Sequence, residues 1–218
     1  MNIIFSDVDG TFQDLGATIP DINLKAVEAL QQQGDRFVFV SGRNYEQIKQ
    51  VIEDSGLDCD IIFSNGAGYR LKGEEPNYSH TLSLKQLEYI LKVLDEKNCF
   101  YHIHTSEKVY MKPMHNFVKH MQDLREALVY MGDQGKRMMD FKEDYFTNKC
   151  EHVEDLISYF KEHPEIKPLK VELMDPSDDF RANLKQLFEN EGFSAFSSVV
   201  TGLEIIDPES NKIGRAHV

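Results

Sequence analysis

Asn2-Ile-Ile-Phe-Ser-Asp7-Val-Asp9-Gly10-Thr11 opens the chain with a short apolar run that ends on two carboxylates. The run predicts a strand over residues 2–6. Gly10 tolerates positive φ, so the chain can turn just after the strand and bring Asp7 and Asp9 to one site. Two carboxylates so placed suit phosphoryl chemistry, one as nucleophile and one as general acid/base. A divalent cation would offset the charge they share with a phosphate. A calcium loop fits worse, because it places its glycine sixth, and Gly10 is fourth from Asp7. Neither the Rossmann nor the Walker glycine spacing is present. On this stretch alone an ordinary exposed loop remains the alternative.

The residues that follow settle the architecture. A helix capped by Asp21 or Asn23 carries Leu24, Val27 and Leu30 at helical spacing and stops at Gly34. Phe37-Val-Phe-Val40 is a continuous apolar run, the mark of a strand buried on both faces. Asn44 begins a second helix with Ile48, Val51 and Ile52 inward, and Asp60-Ile-Ile-Phe63 is a third strand. Strands alternating with helices imply an α/β fold with a doubly wound parallel sheet. Ligands bind beyond the carboxyl ends of such strands.

From residue 82 the rhythm changes to α+β. Ser83 caps a helix with Leu84, Leu87, Ile90, Leu91 and Leu94 on one face. Strands are expected at 99–105 and 108–111, then a long helix bearing Phe117, Val118, Met121, Leu124 and Leu128. Gly132 and Gly135 read as a turn, and Lys142-Glu-Asp144 as a solvated surface. A helix through Val153, Leu156, Ile157 and Phe160, a strand at 169–174 and a helix capped by Ser177 and Asp178 follow. Strands at 197–200 and 203–206 close the segment. The expected division is a core at 1–81, an inserted domain at 82–207, and a return to the core at 208–212.

Composition narrows the function. Twenty-four Lys and Arg against 37 Asp and Glu give a net charge of −13. That charge repels a phosphate backbone and argues against a nucleic-acid partner. No apolar run approaches the roughly 20 residues that span a bilayer, so no membrane partner is expected. Three widely spaced cysteines without a CxxC suit a reducing cytoplasm. His102 and His104 alternate on one strand face. Without a third ligand nearby they read as packing. Met111, Met114, Met121, Met131, Met138 and Met139 read as gap-fillers of a core.

Three motifs in order at strand ends carry a resemblance. Asp7-Val-Asp9-Gly10-Thr11 resembles motif I of the haloacid dehalogenase (HAD) superfamily, and Val40-Ser41-Gly42-Arg43 resembles motif II. Ser64-Asn65-Gly66-Ala67 resembles the SNGA element of its Cof-type phosphatases. The α+β insert falls where that subfamily carries its C2-type cap. The resemblance implies a cytoplasmic Mg²⁺-dependent hydrolase of small phosphomonoesters, such as sugar phosphates or phosphorylated cofactors. It implies that Asp7 attacks phosphorus to form an aspartyl phosphate. Asp9 would protonate the leaving alcohol and then activate water. The Asp7 side chain and the Asp9 main-chain carbonyl would hold the metal. Gly10 and Thr11 would hold the loop and the phosphoryl oxygens, Ser41 and the Gly42 amide would donate to the phosphate, and Arg43 and Asn65 would lie at the entrance.

The chain also departs from the family. Lys212 stands where the motif III lysine is expected, but Ile213-Gly-Arg-Ala-His-Val218 replaces the usual KGxAL context. No GDxxND segment, which supplies further metal carboxylates, occurs in the sequence. Residues 213–218 read as a non-native tail, because ATC GGA AGA GCA CAC GTN encodes them and matches a sequencing-library adapter. The expectation is a member cut short before motif IV and inactive as it stands. The alternative is a non-catalytic, degenerate or fragmentary relative that at most binds ligand.

Overall fold

The structure, a computed structural model, describes residues 1–14, 18–197 and 200–210. The expectations for Lys212 and for the tail at 213–218 therefore lie outside the described residues. The chain divides into two compact units, Met1–His80 with the returning Glu209 and Ser210, and Thr81–Pro208.

In the first unit β1 (Ile3–Ser6), α1 (Asp21–Gln32), β2 (Arg36–Val40), α2 (Tyr45–Ser55) and β3 (Asp60–Phe63) alternate. β1 pairs with β2 and β2 with β3, both parallel. Two strands that the sequence pattern does not announce, β4 (Gly68–Arg70) and β5 (Asn77–Tyr78), then extend the sheet antiparallel. A Cβ at Gly68 would lie 2.3 Å from the Phe63 ring, so only glycine lets β4 pass there.

α2 starts as the sequence suggests, on an Asn44–Gln47 capping box. α1 does not. Its N-cap is Pro20, without a side-chain cap, while Asp21 sits in the first turn and Asn23 donates to the Phe12 carbonyl at 2.8 Å. Proline presets its own φ, and the Asn23 amide is used to tie down the loop instead.

Alternation along the strands sorts the side chains to two faces. Phe37, Phe39, Ile61 and Phe63 join Val27 of α1 and Ile48 and Val51 of α2 in one apolar core. Val38, Val40 and Ile62 point the other way, against Tyr69. No described helix of this unit packs on that second face. Ile3, Phe5 and Leu71 stay 47%, 37% and 38% exposed there, around a groove of about 370 Å³.

The second unit is built on a six-stranded sheet whose order is β10 (Ser194–Phe196), β11 (Gly202–Ile206), β9 (Pro168–Met174), β6 (Phe100–Thr105), β7 (Val109–Met111) and β8 (Glu151–His152). Its α-helices are α3 (Leu84–Glu96), α4 (Phe117–Ala127), α5 (Gly132–Asn148), α6 (Leu156–Glu162) and α7 (Asp178–Asn190). α3, α6 and α7 bury Leu87, Leu91, Leu156, Phe160, Leu184 and Phe188 against one face. α4 and α5 bury Met121, Leu124, Met139 and Phe146 against the other. The methionines fill this second core, as expected of flexible side chains.

Two readings of this segment need correction. Gly132 and Gly135 do not make an isolated turn. Gly132 (φ 57°) opens the 17-residue helix α5, and a Cβ at Gly135 would meet the Leu128 carbonyl at 2.5 Å. Lys142 is no solvated charge, since its side chain is only 17% exposed and faces Glu172. Ahead of the strand expected at 197–200, of which residues 198 and 199 lie outside the described residues, a strand forms at Ser194–Phe196 and pairs antiparallel with β11. The fold is an α/β core with parallel β1, β2 and β3 and an inserted α+β domain.

Candidate active site

The site is built from the loops that leave β1, β2 and β3. Ser6 lies beside Phe39, and Val40 beside Ile62, so the three carboxyl ends are neighbours. The first loop is fixed by its own backbone. The amides of Phe12 and Gln13 both donate to the Val8 carbonyl at 3.0 Å, and Gly10 donates to the Gln13 carbonyl at 2.8 Å. Gly10 has φ 74°, the left-handed conformation that a side chain resists. Buried Val8 and Phe12 anchor this turn in the core. Asp7 is thus left half-buried at the strand end, with Asp9, Gly10 and Thr11 exposed.

The second and third loops are tied to each other. Ser41 is 1% exposed, and its amide donates to the Ile62 carbonyl at 2.9 Å. The Arg43 amide donates to Ser41 Oγ at 3.2 Å, and the Asn65 amide to the Ser41 carbonyl at 3.1 Å. Ser64 and Asn65 both take left-handed backbone, φ 48° and 56°. Such strain in non-glycine residues collects at functional loops and is held by its surroundings. Here the Ser64 amide donates to the Arg43 carbonyl at 2.8 Å, and Ser210 Oγ to the Asn65 carbonyl at 3.3 Å. A Cβ at Gly42 would lie 2.9 Å from Asn65 Oδ1, so a side chain there would have to push the buried Asn65 amide aside.

One side-chain pair joins the first loop to the second. Arg43 Nε donates to Asp9 Oδ2 at 2.9 Å and Nη2 to Oδ1 at 2.5 Å, a two-pronged pair. Gln13 Nε2 adds a third bond to Oδ1 at 3.3 Å. Nothing in the sequence pointed to this pairing across 34 residues. The partners are 29% and 47% exposed, so the pair contributes at most about 1 kcal/mol and opens readily. While it is closed, both Asp9 carboxylate oxygens are engaged, and only its main-chain carbonyl is a candidate metal ligand. Asp7, Asp9, Gly10, Thr11, Ser41, Gly42, Arg43 and Asn65 therefore lie in three adjoining loops.

A profile described as haloacid dehalogenase-like hydrolase matches residues 4–216. The chain belongs to this family. A protein of Mycoplasma genitalium named as a phosphatase, MG265, is 27% identical over 212 residues, 97% of this chain and 72% of its own length. An HMP-PP phosphatase of Yersinia pestis is 29% identical over 97 residues, 44% of this chain and 36% of that protein. Among solved structures, a haloacid dehalogenase-like hydrolase of B. subtilis superposes with a TM-score of 0.77 at 17% identity, over 99% of this chain and 78% of its own. The fold of this HAD-family chain is thus that of known hydrolases, and its relatives carry phosphatase names. No helix among the described residues is long and apolar enough to cross a membrane.

Proposed function

We propose that this HAD-family chain carries the phosphoryl-transfer site of a cytoplasmic Mg²⁺-dependent phosphatase of small phosphomonoesters, acting through an aspartyl phosphate on Asp7. The observation that carries the reading is the juxtaposition of the Asp7–Asp9 turn with the Ser41–Arg43 and Ser64–Asn65 loops at adjacent strand ends. Asp7 is the nucleophile, and Asp9 is the acid and base. Asp9 can pass a proton only after Arg43 lets go, so a phosphate that draws the guanidinium away would free the acid as it binds. Ser41 and the Gly42 amide receive the phosphoryl oxygens, with Gly10 and Thr11 on the other side and Asn65 at the entrance. Lys212, outside the described residues, is assigned to pair with the nucleophile and the phosphate.

The Asp7 carboxylate and the Asp9 carbonyl would hold Mg²⁺, a cation that keeps several waters in such sites. When bound, it offsets the charge between the nucleophile and the phosphate. Asp7→Asn is the direct test, assayed with p-nitrophenyl phosphate and Mg²⁺ in the chain and in a version supplied with a GDxxND segment. Loss of turnover with the fold retained is expected, and near-normal kcat would remove Asp7 from this role. A second reading, a non-catalytic relative that at most binds ligand, draws on the open second face of the β1–β5 sheet.

A further inference from the structure

His102 and His104 lack a third ligand in the sequence, but the fold supplies one. β6 pairs with β9 so that His102 faces Glu172 and His104 faces Lys170. Cross-strand partners share a sheet face, here the one covered by α5. Both imidazoles converge on a single oxygen. His102 Nε2 lies 3.5 Å and His104 Nε2 3.3 Å from Glu172 Oε2. All three donor atoms lie within 4.8 Å of one another. His102 and Glu172 are buried, at 2% and 6% exposure, and His104 is 9% exposed.

The hydrogen bonding of this cluster is incomplete. Among the described residues His102 Nδ1 and His104 Nδ1 make no hydrogen bond, and His104 Nε2, though near Glu172, is not aligned to make one. Buried polar atoms seldom go unsatisfied without a reason such as an ion. The spacing suits one. A tetrahedral site with bonds of about 2.0–2.1 Å separates its donors by about 3.3–3.4 Å, and two histidines with one glutamate are a known zinc donor set.

We propose that His102 Nε2, His104 Nε2 and Glu172 Oε2 form a binding site for a divalent transition-metal ion of the zinc type, within the inserted domain and independent of the Asp7 site. The neighbouring charges say how it would be filled. Lys170 is 3.7 Å from Glu172 Oε2 but only 2.9 Å from Glu204 Oε1, which is its nearer counter-charge. Lys142 from α5 is 3.5 Å from Glu172 Oε1, and its partial exposure gives it a way out to water. Lys142 is therefore the competitor that a metal displaces. Neither Nδ1 has an acceptor to orient it, which puts the affinity at the weak end for such a donor set.

The test is titration of the full chain with Co²⁺ and Zn²⁺, read by the visible absorption of Co²⁺ and by calorimetry, with circular dichroism as a fold control. One saturable Co²⁺ with a tetrahedral spectrum, displaced by Zn²⁺, is expected. His104→Gln and Glu172→Gln should each weaken it by at least about tenfold. Lys142→Met keeps all three ligands, removes the competing charge beside Glu172 and should tighten binding several-fold, which a merely structural cluster has no reason to do. Absence of a saturable Co²⁺ site in the wild-type chain overturns the proposal. So does a site whose affinity is unmoved in both the His104→Gln and Lys142→Met proteins.

Discussion

The two sheets of this molecule are finished to different degrees. In the inserted unit both faces are covered, and every residue of β6, β7, β9 and β11 is buried. In the first unit α1 and α2 cover one face, while Ile3, Phe5 and Leu71 leave the other partly open among the described residues. The unit that carries the proposed chemistry is thus the less enclosed one. Burial contributes about 25 cal/mol per Å² of apolar surface, so local stability should follow the same division. The insert is the steadier scaffold, while in the first unit the loops after β2 and β3 are buried or half-buried and only the Asp9–Thr11 turn after β1 stands exposed.

The largest expected effect separates the units by function. In a version supplied with a GDxxND segment, Asp7→Asn should lower phosphatase turnover by on the order of 10⁴ or more while leaving the insert's near-ultraviolet circular dichroism unchanged. Asp9→Asn should cost on the order of 10²–10⁴, and less for substrates with good leaving groups, which need less protonation. Stopped-flow bursts across a series of aryl phosphates measure this, and equal losses along the series would remove Asp9 as the acid.

Acid should erode the insert's advantage. Burial lowers the pKa of His102 and His120 and brings His104 down to about 3. Burial pushes Glu172 up, but its histidine and Lys170 partners outweigh this and hold it well below the ordinary carboxylate range. A histidine with a depressed folded pKa stays neutral when folded, while its unfolded form takes up a proton below about pH 6.5. A carboxylate with a depressed folded pKa likewise loses its contribution as pH falls below its unfolded value. All four shifts have one sign. Hydrogen exchange should show the insert protected more than the core at pH 7 and losing that lead from about pH 6.5 down toward pH 3. A lead that persists unchanged at pH 4 would contradict this.

Two core substitutions sharpen the comparison on a smaller scale. Leu173→Ala, at a fully buried position of β9, should cost about 2–5 kcal/mol in urea unfolding. Phe5→Ser, on the open face, should cost about 1 kcal/mol or less and reduce aggregation. Comparable losses at both positions would show that the second face of β1–β3 is covered in solution.

What the sequence made legible follows from local physics. β1–β3, α2, α3, α7 and the Asp7–Asp9 turn rest on apolar periodicity, capping residues and one glycine, all short-range signals. α5 escaped because two glycines open it and most of its surface is polar, which hides a helical period. β4 and β5 are too short to show alternation. The Asp9–Arg43 pair and the His102–His104–Glu172 cluster are products of strand register across 34 and about 70 residues, and no local pattern encodes such neighbours.

The measurement that bears most directly on the central claim is chemical trapping of the phosphorylated protein. A preparation that hydrolyses an aryl phosphate, quenched during turnover and digested, should yield a hydroxylamine-labile phosphoryl group on the peptide containing Asp7. Turnover with the label on another residue, or with no acyl phosphate under conditions that trap one in a known aspartyl-phosphate enzyme, would contradict the account.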